Sequence, residues 1–84
     1  LLSCFDLPQY KYGIFGVLIE LFIPSQDMFI SLNKIESKIF KNLLINKSPI
    51  QKTIKMIKDD LSINEERAKR EIKKFLIEIQ KFSN

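Results

Sequence analysis

Few side chains in this sequence are suited to acid–base catalysis. The chain contains no His, so a general base would have to be a carboxylate or a lysine. Two pairs of adjacent carboxylates are present, Asp59-Asp60 and Glu65-Glu66. Neighbouring residues on a helix point about 100° apart and do not converge on one substrate atom. These pairs therefore favour helix ends rather than a catalytic dyad.

Metal, cofactor and nucleophile chemistry also lack their usual residues. With no His and one Cys, the sequence cannot supply zinc or haem ligand sets or a disulfide framework. Cys4 has no flanking charge to activate its thiol, and Gly13 with Gly16 falls short of a phosphate-binding loop. A chain of 84 residues with 45% hydrophobic residues indicates one small domain, spanning residues 1–84. We expect a binding module that is not an enzyme and needs no cofactor or metal.

Charge is divided unevenly along the chain. Residues 1–32 hold 1 base and 3 acids, a net of −2, whereas residues 33–84 hold 13 bases and 7 acids, a net of +6. A basic half is typical of a solvated helical face, or of a surface for nucleic acid, membrane or acidic peptide.

Nothing in the sequence indicates a targeting or membrane segment. The longest apolar run, residues 14–23, is interrupted by Glu20 and has about half the length of a membrane span. Residues 1–3 lack the features of a signal peptide. We therefore expect a cytoplasmic protein with no membrane partner. The sequence starts at Leu1 rather than Met, which is compatible with a free-standing protein and with a domain of a longer one.

The elements that must position any binding residues begin with strands, over residues of about 9–32. A short first strand is predicted over residues 9–12, with Gly13 and Gly16 at turn or bulge positions. Residues 17–23 form a β-branched and aromatic run. Its alternation predicts a core face made of Val17, Ile19, Leu21 and Ile23.

A turn at residues 24–27 leads to the last strand, Met28–Leu32. Alternation places Met28, Ile30 and Leu32 toward the core and Phe29 and Ser31 away from it. This strand contains no charge and no proline.

Three helices follow, predicted over residues of about 34–45, 49–61 and 64–82. Asn33 and Glu36 have the spacing of a capping box, and Ser48 before Pro49 predicts a second helix start. Either Ser62 or Asn64 could cap the third helix. Strands followed by helices predict an α+β fold, with an antiparallel hairpin or three-stranded sheet. This order resembles a winged helix whose wing precedes the helices.

Two binding modes fit these elements. Basic residues lie off the apolar stripe of the third helix, together with an unexpected Ile77; they are Lys69, Arg70, Lys73, Lys74 and Lys81. The helix could enter the major groove of DNA through the first four of these. Alternatively, the edge at residues 28–32 could accept a peptide as an added strand, with the third helix as the second wall. The apolar Phe29 and Ile77 favour the peptide.

The stretch Phe29-Ile30-Ser31-Leu32-Asn33, followed by residues 35–44 with their closing Leu-Leu, resembles the PqqD family. The likeness extends over residues of roughly 17–82 and includes the start of the second helix at residues 48–50 and the hydrophobic set of the third. Two departures occur. No glycine stands at residues 45–47, and Glu71 occupies a position where the family commonly has Asp.

The resemblance implies a winged-helix-like domain that binds the leader of a ribosomally synthesised precursor peptide and presents it to a modifying enzyme. That enzyme would be a radical SAM enzyme, a cyclase or a leader peptidase. The leader would lie against the last strand, beside the third helix. Phe29, Ile30 and Ser31 would then offer backbone bonds and a side-chain contact. The full set of implied contacts is Met28, Phe29, Ile30, Ser31 and Leu32 on the strand, and Arg70, Lys73, Lys74 and Ile77 on the helix.

Overall fold

The computed structural model describes residues 8–82, in which an antiparallel sheet precedes a set of helices. The strands are β1 (Lys11–Phe15), β2 (Leu18–Ile23) and β3 (Met28–Ser31), in the spatial order β1-β2-β3. The α-helices are α1 (Lys34–Phe40), α2 (Ile50–Leu61) and α3 (Glu65–Gln80). The predicted α+β arrangement is confirmed. Cys4 lies outside the described residues.

The β1–β2 hairpin turns at Gly16 and Val17, since Phe15 pairs directly with Leu18. Gly16 has a φ of 67°, the left-handed region that glycine enters without a Cβ penalty. Three sequence predictions are wrong here. Gly13, predicted at a turn or bulge, lies inside β1 and pairs with Glu20 in regular register. The first strand covers Lys11–Phe15 rather than residues 9–12. Val17 is a turn residue with 76% of its surface exposed, not a core residue, because the strand begins one residue later.

Strand β2 divides its side chains as alternation predicts. Ile19, Leu21 and Ile23 are buried on the face that the helices cover. Across from β2, Ile30 packs partly against the core and Leu32 is buried. Met28 does not follow the prediction, since it is 40% exposed at the start of the edge strand.

Helix α1 begins at a complete capping box. The Glu36 N–H donates to Asn33 Oδ1 at 2.8 Å, and the Asn33 N–H donates to Glu36 Oε1 at 2.9 Å. The helix continues into a π-helical turn, Lys41–Ile45, so the predicted bounds of residues 34–45 are confirmed. Lys47 then takes a φ of 53°, the backbone conformation that a glycine commonly supplies at such a turn.

The starts of the other helices differ partly from expectation. Pro49, with a ψ of 150°, is itself the N-cap of α2 rather than its first helical residue, so Ser48 lies one residue outside the cap. The Ser48 N–H donates to the Asn42 carbonyl at 2.8 Å. Asn64 caps α3, accepting from the Arg67 N–H at 2.8 Å. Ser62 ends α2 with a φ of 53°. Helix α3 ends at Gln80, before the predicted residue 82.

The core lies between the sheet and the helices. It joins Ile19 and Leu21 of β2 to buried side chains of all three helices and their connections: Ile39, Phe40, Leu43, Ile54, Ile57, Ala68, Ile72, Phe75, Leu76 and Ile79. These positions repeat every three or four residues, the period of a helix face packed on a core. Across residues 8–82, no helix combines the length and apolarity needed to cross a membrane.

Candidate functional site

Strand β3 is an edge strand whose backbone alternates between bonding β2 and facing outward. The Leu32 N–H donates to the Ile19 carbonyl at 2.9 Å, so the backbone groups of these two residues face each other. In an antiparallel pair, the backbone N–H and C=O groups of every second residue point toward the partner strand. Ile30, two residues before Leu32, therefore bonds β2. Phe29 and Ser31 direct their N–H and C=O groups away from β2.

This alternation refines the backbone part of the predicted site. Phe29 and Ser31 have the orientation that a bonding strand needs, whereas the backbone of Ile30 is already used by β2. Within residues 8–82, no further strand pairs with β3. An extended peptide could thus form two hydrogen bonds with each of Phe29 and Ser31.

The side chain of Phe29 lies on the sheet face opposite the helices. It is 67% exposed and contacts Phe22 of β2, with ring centroids 4.7 Å apart and planes tilted by 36°. Beside this pair the Ser31 hydroxyl donates to Glu20 Oε2 at 3.4 Å. The exposed orientation predicted for Phe29 and Ser31 is confirmed. Phe29 offers an apolar surface to whatever lies along the edge.

A buried serine of α1 closes the β2–β3 ladder. The Ile19 N–H donates to Ser37 Oγ at 3.0 Å, and the Ser37 hydroxyl donates to the Leu32 carbonyl at 3.3 Å. Ser37 is 2% exposed. Its hydroxyl therefore stands between two backbone groups that would otherwise bond each other, and it ties the end of β3 to the helical layer.

Sequence reasoning missed Ser37. The only available signal is its spacing, four residues after Asn33 and three before Phe40, which puts it on the same helix face as Phe40. A serine at that spacing is equally typical of a helix start exposed to solvent.

The predicted helical residues share one surface of α3. They line a shallow, open hollow of about 340 Å³, whose lining within residues 8–82 consists of Arg70, Lys73, Lys74, Ile77, Glu78 and Lys81. Ile77 is 40% exposed, as predicted. Among the ion pairs of residues 8–82, none involves Arg70, Lys73 or Lys74, so their charges face solvent. The surface can attract an anionic partner and offers one apolar contact.

Lys69 differs from these residues. Its ammonium lies 3.0 Å from Glu65 Oε2, one turn earlier on the helix. The hydrogen bond and charge of Lys69 lower the pKa of Glu65, and Glu65 in turn raises the pKa of Lys69. Lys69 also lines a cavity of about 430 Å³ between α2 and α3, with Ile50 and Ile54 on its α2 side. Lys73 lines the same cavity, so it borders both this groove and the outer surface of α3, whereas Lys69 borders the groove alone.

The strand residues and the helix residues line separate cavities. Phe29 lines one of about 260 Å³ on the outer face of the sheet, while Ser31 and Leu32 line one of about 210 Å³ with residues of the β1–β2 hairpin. Strand β3 packs mainly on β2, and α3 packs mainly on α2 and α1. A single groove that joins β3 to α3 stays a prediction.

Two of the four carboxylates in the adjacent pairs, Asp60 and Glu65, are held in ion pairs. Asp60 Oδ2 is 3.0 Å from Lys38 Nζ, which ties the end of α2 to α1, and Glu65 is paired with Lys69. In the part of the chain that the structure describes, no group of three His, Cys, Asp or Glu side chains could hold a metal ion.

No family model, curated protein or solved structure matches the chain.

Proposed function

We propose that this domain binds the leader segment of a ribosomally synthesised precursor peptide, by adding it as a strand to the open edge of β3. The observation that carries the proposal is the outward direction of the backbone groups of Phe29 and Ser31. Four hydrogen-bonding groups along one edge match an extended chain, whatever its side chains. The resemblance to the PqqD family supports the same edge.

The composition of the edge supports a bound strand. Natural proteins protect edge strands with charges, prolines or covering segments, because an open edge invites aggregation. Residues 28–32 carry neither a charge nor a proline. A peptide that pairs with this edge explains why it is left unprotected, and the adjacent Phe22–Phe29 pair would pack against one of its apolar side chains.

The surface of α3 would act at longer range. Arg70, Lys73 and Lys74 have no ion-pair partner within residues 8–82, so they would attract a leader that carries acidic residues. Ile77 would supply the apolar contact of the second wall. In this proposal the domain has a winged-helix-like fold and acts in the cytoplasm. It presents the bound precursor to a separate modifying enzyme, such as a radical SAM enzyme, a cyclase or a leader peptidase.

Two substitutions at one position test strand addition. Ser31→Pro removes the outward N–H and places a ring on the edge, but spares the ladder because this N–H does not bond β2. Ser31→Ala removes the hydroxyl and keeps the N–H. Overlapping synthetic peptides from the short reading frames beside the gene are titrated against each protein by fluorescence anisotropy. We expect S31A to bind as the wild type does, and S31P to bind about tenfold more weakly or worse, since a lost hydrogen bond is worth roughly 1 kcal/mol and the ring also obstructs the edge.

A thermal melt of both variants shows whether the sheet is intact. Equal affinity of folded S31P and S31A would exclude strand addition at β3. Failure of every peptide to bind the wild type would exclude leader binding itself.

Duplex DNA is the second candidate partner, favoured by the unpaired cations of α3. Binding by Arg70, Lys73 and Lys74, with Lys69, would weaken with salt by about 0.9 in log–log slope for each phosphate contacted. A gel shift at low salt tests this. Absence of a shift would remove the candidate, and a shift abolished by Lys73→Glu but not by S31P would support it.

A further inference from the structure

The tip of the β1–β2 hairpin projects apolar side chains into solvent. Four residues flank or form the turn at Gly16: Ile14, Phe15, Val17 and Leu18 are 56%, 67%, 76% and 45% exposed. No charged residue lies between Lys11 and Glu20. Ile14 pairs with core-facing Ile19, whereas Phe15 pairs with Leu18 on the other face, so both faces of the tip are apolar. Clustered exposed apolar residues of this kind mark a contact site more often than scattered single residues do.

The backbone of the turn does not require these residues. A two-residue hairpin turn needs φ above zero at certain positions, and Gly16 provides it at 67°. Val17 has no such constraint, and turns usually place polar residues there. An added Cβ at Gly16 would meet no atom within 4 Å, so the space beside the turn is open. A contact with another molecule would therefore explain why an apolar residue stands at Val17.

Lysines from α1 and its π-helical turn surround one side of the tip. Lys34, Lys38 and Lys41 line a cavity of about 190 Å³ together with Ile14, Gly16, Val17, Ile19 and Ser37. Lys38 is paired with Asp60. Lys34 and Lys41 are exposed and take part in none of the ion pairs within residues 8–82. Long lysine side chains can lie along apolar surface while their ammonium groups reach outward.

Although the sequence alone predicts no membrane partner, we propose that this hairpin tip inserts into the interface of an anionic lipid membrane, with Lys34 and Lys41 bound to the headgroups. The exposed apolar side chains lie on both faces of the hairpin tip and not only in the hollow beside α1, an arrangement that suits insertion into a soft interface. Lysines beside the tip match the negative potential of an anionic leaflet. Phe15 and Leu18 of the tip line a hollow together with Ser31 and Leu32, so a membrane at the tip would lie next to a peptide on the β3 edge.

The absence of Trp from the chain allows a site-specific probe of insertion. Val17→Trp places a single tryptophan at the tip. Phe29→Trp places one on the β3 edge, at a residue that is 67% exposed, the same fraction as Phe15 of the tip. Vesicles of phosphatidylcholine, with or without phosphatidylglycerol, are titrated against each protein. We expect the V17W emission to shift to the blue with the anionic vesicles and to be quenched by brominated acyl chains. The F29W emission should stay unchanged.

A matched charge reversal tests the lysines. Lys34→Glu with Lys41→Glu should weaken binding to anionic vesicles about tenfold or more, because each lysine near such a surface contributes measurably to binding. Lys52→Glu with Lys55→Glu makes the same change in net charge on the exposed side of α2 and should weaken binding much less. Unchanged V17W emission with anionic vesicles would overturn the proposal and make the tip a protein contact. Equal weakening by both charge reversals, or equal quenching of V17W and F29W, would also overturn it.

Discussion

Removing the hydroxyl of Ser37 should destabilise the domain far more than a serine-to-alanine change usually does. That hydroxyl accepts from the Ile19 N–H at 3.0 Å and donates to the Leu32 carbonyl at 3.3 Å. Both residues are nearly inaccessible, at 4% and 3% exposure, so water cannot replace the lost partner. Ser37→Ala would leave one donor and one acceptor without bonds.

The size of the effect follows from these two orphaned groups. A buried polar group left without a partner costs about 1–3 kcal/mol, so two such groups together cost roughly 2–6 kcal/mol. Partial closure of the β2–β3 ladder, which would let the two groups bond each other, favours the lower part of that range, roughly 2–4 kcal/mol. For a domain of this size each kcal/mol shifts Tm by about 4–8 °C. We therefore expect Tm to fall by roughly 10–25 °C, with an unchanged m-value in urea.

Ser25→Ala is the matched control, because Ser25 is exposed in the turn between β2 and β3. A change at such a surface position should stay within about 0.5 kcal/mol. The account of the ladder would be refuted if S37A and S25A had the same unfolding midpoint. Loss of dispersed amide signals in S37A at room temperature would agree with the upper end of the expected range.

Three further predictions concern the hairpin, the core and a surface ion pair. Gly16→Ala should lower the free energy of unfolding in urea by about 1–2 kcal/mol, because alanine is strained at a φ of 67° and not because its Cβ would clash. An unchanged free energy of unfolding would contradict that backbone geometry. Phe40→Ala should lower the free energy of unfolding by about 3–5 kcal/mol because its ring is fully buried, whereas Phe29→Ala should cost no more than about 1 kcal/mol, the value of its exposed cross-strand pair with Phe22; similar midpoints for both would contradict the core assignment. Because the pKa of Glu65 is lowered and that of Lys69 is raised, the ion pair between them stabilises the fold at neutral pH. It is lost as the pH falls through the folded-state pKa of Glu65 or rises through that of Lys69, so Glu65→Gln should lower Tm slightly near neutrality and not in acid.

The helices were predictable because their signals are local. Capping residues and apolar stripes depend on spacings of three and four residues, and Asn33, Asn64 and the stripe of α3 behave as those spacings require. The prediction that Ser48 caps α2 failed because its position depends on more than its neighbours in sequence. The π-helical turn and the positive φ of Lys47 carry the Ser48 N–H onto the Asn42 carbonyl, and no short motif encodes that path.

Strand boundaries were harder to predict because β-propensity does not separate a strand residue from a turn residue. Val17 has the residue type of a strand, but the pairing of Phe15 with Leu18 makes it part of the turn. Met28 alternates correctly and still lies exposed, because it begins an edge strand.

The candidate site was only partly accessible from sequence for a related reason. Alternation predicts which side chains face the core, and so it placed Phe29 and Ser31 outward. Which backbone groups face the open edge depends on the register between β2 and β3, a long-range property. The role of Ser37 depends on how α1 packs on the sheet, and that contact joins residues 18 positions apart.

Amide hydrogen exchange at three consecutive residues of β3 tests the central proposal most directly. In the free protein, the N–H groups of Phe29 and Ser31 face the open edge, whereas that of Ile30 bonds β2. On saturation with a bound leader peptide, the exchange of Phe29 and Ser31 should slow by about tenfold or more, as expected for amides that gain a hydrogen bond. The exchange of Ile30 should change much less. Protection confined to α3, with Phe29 and Ser31 exchanging as in the free protein, would contradict strand addition at this edge.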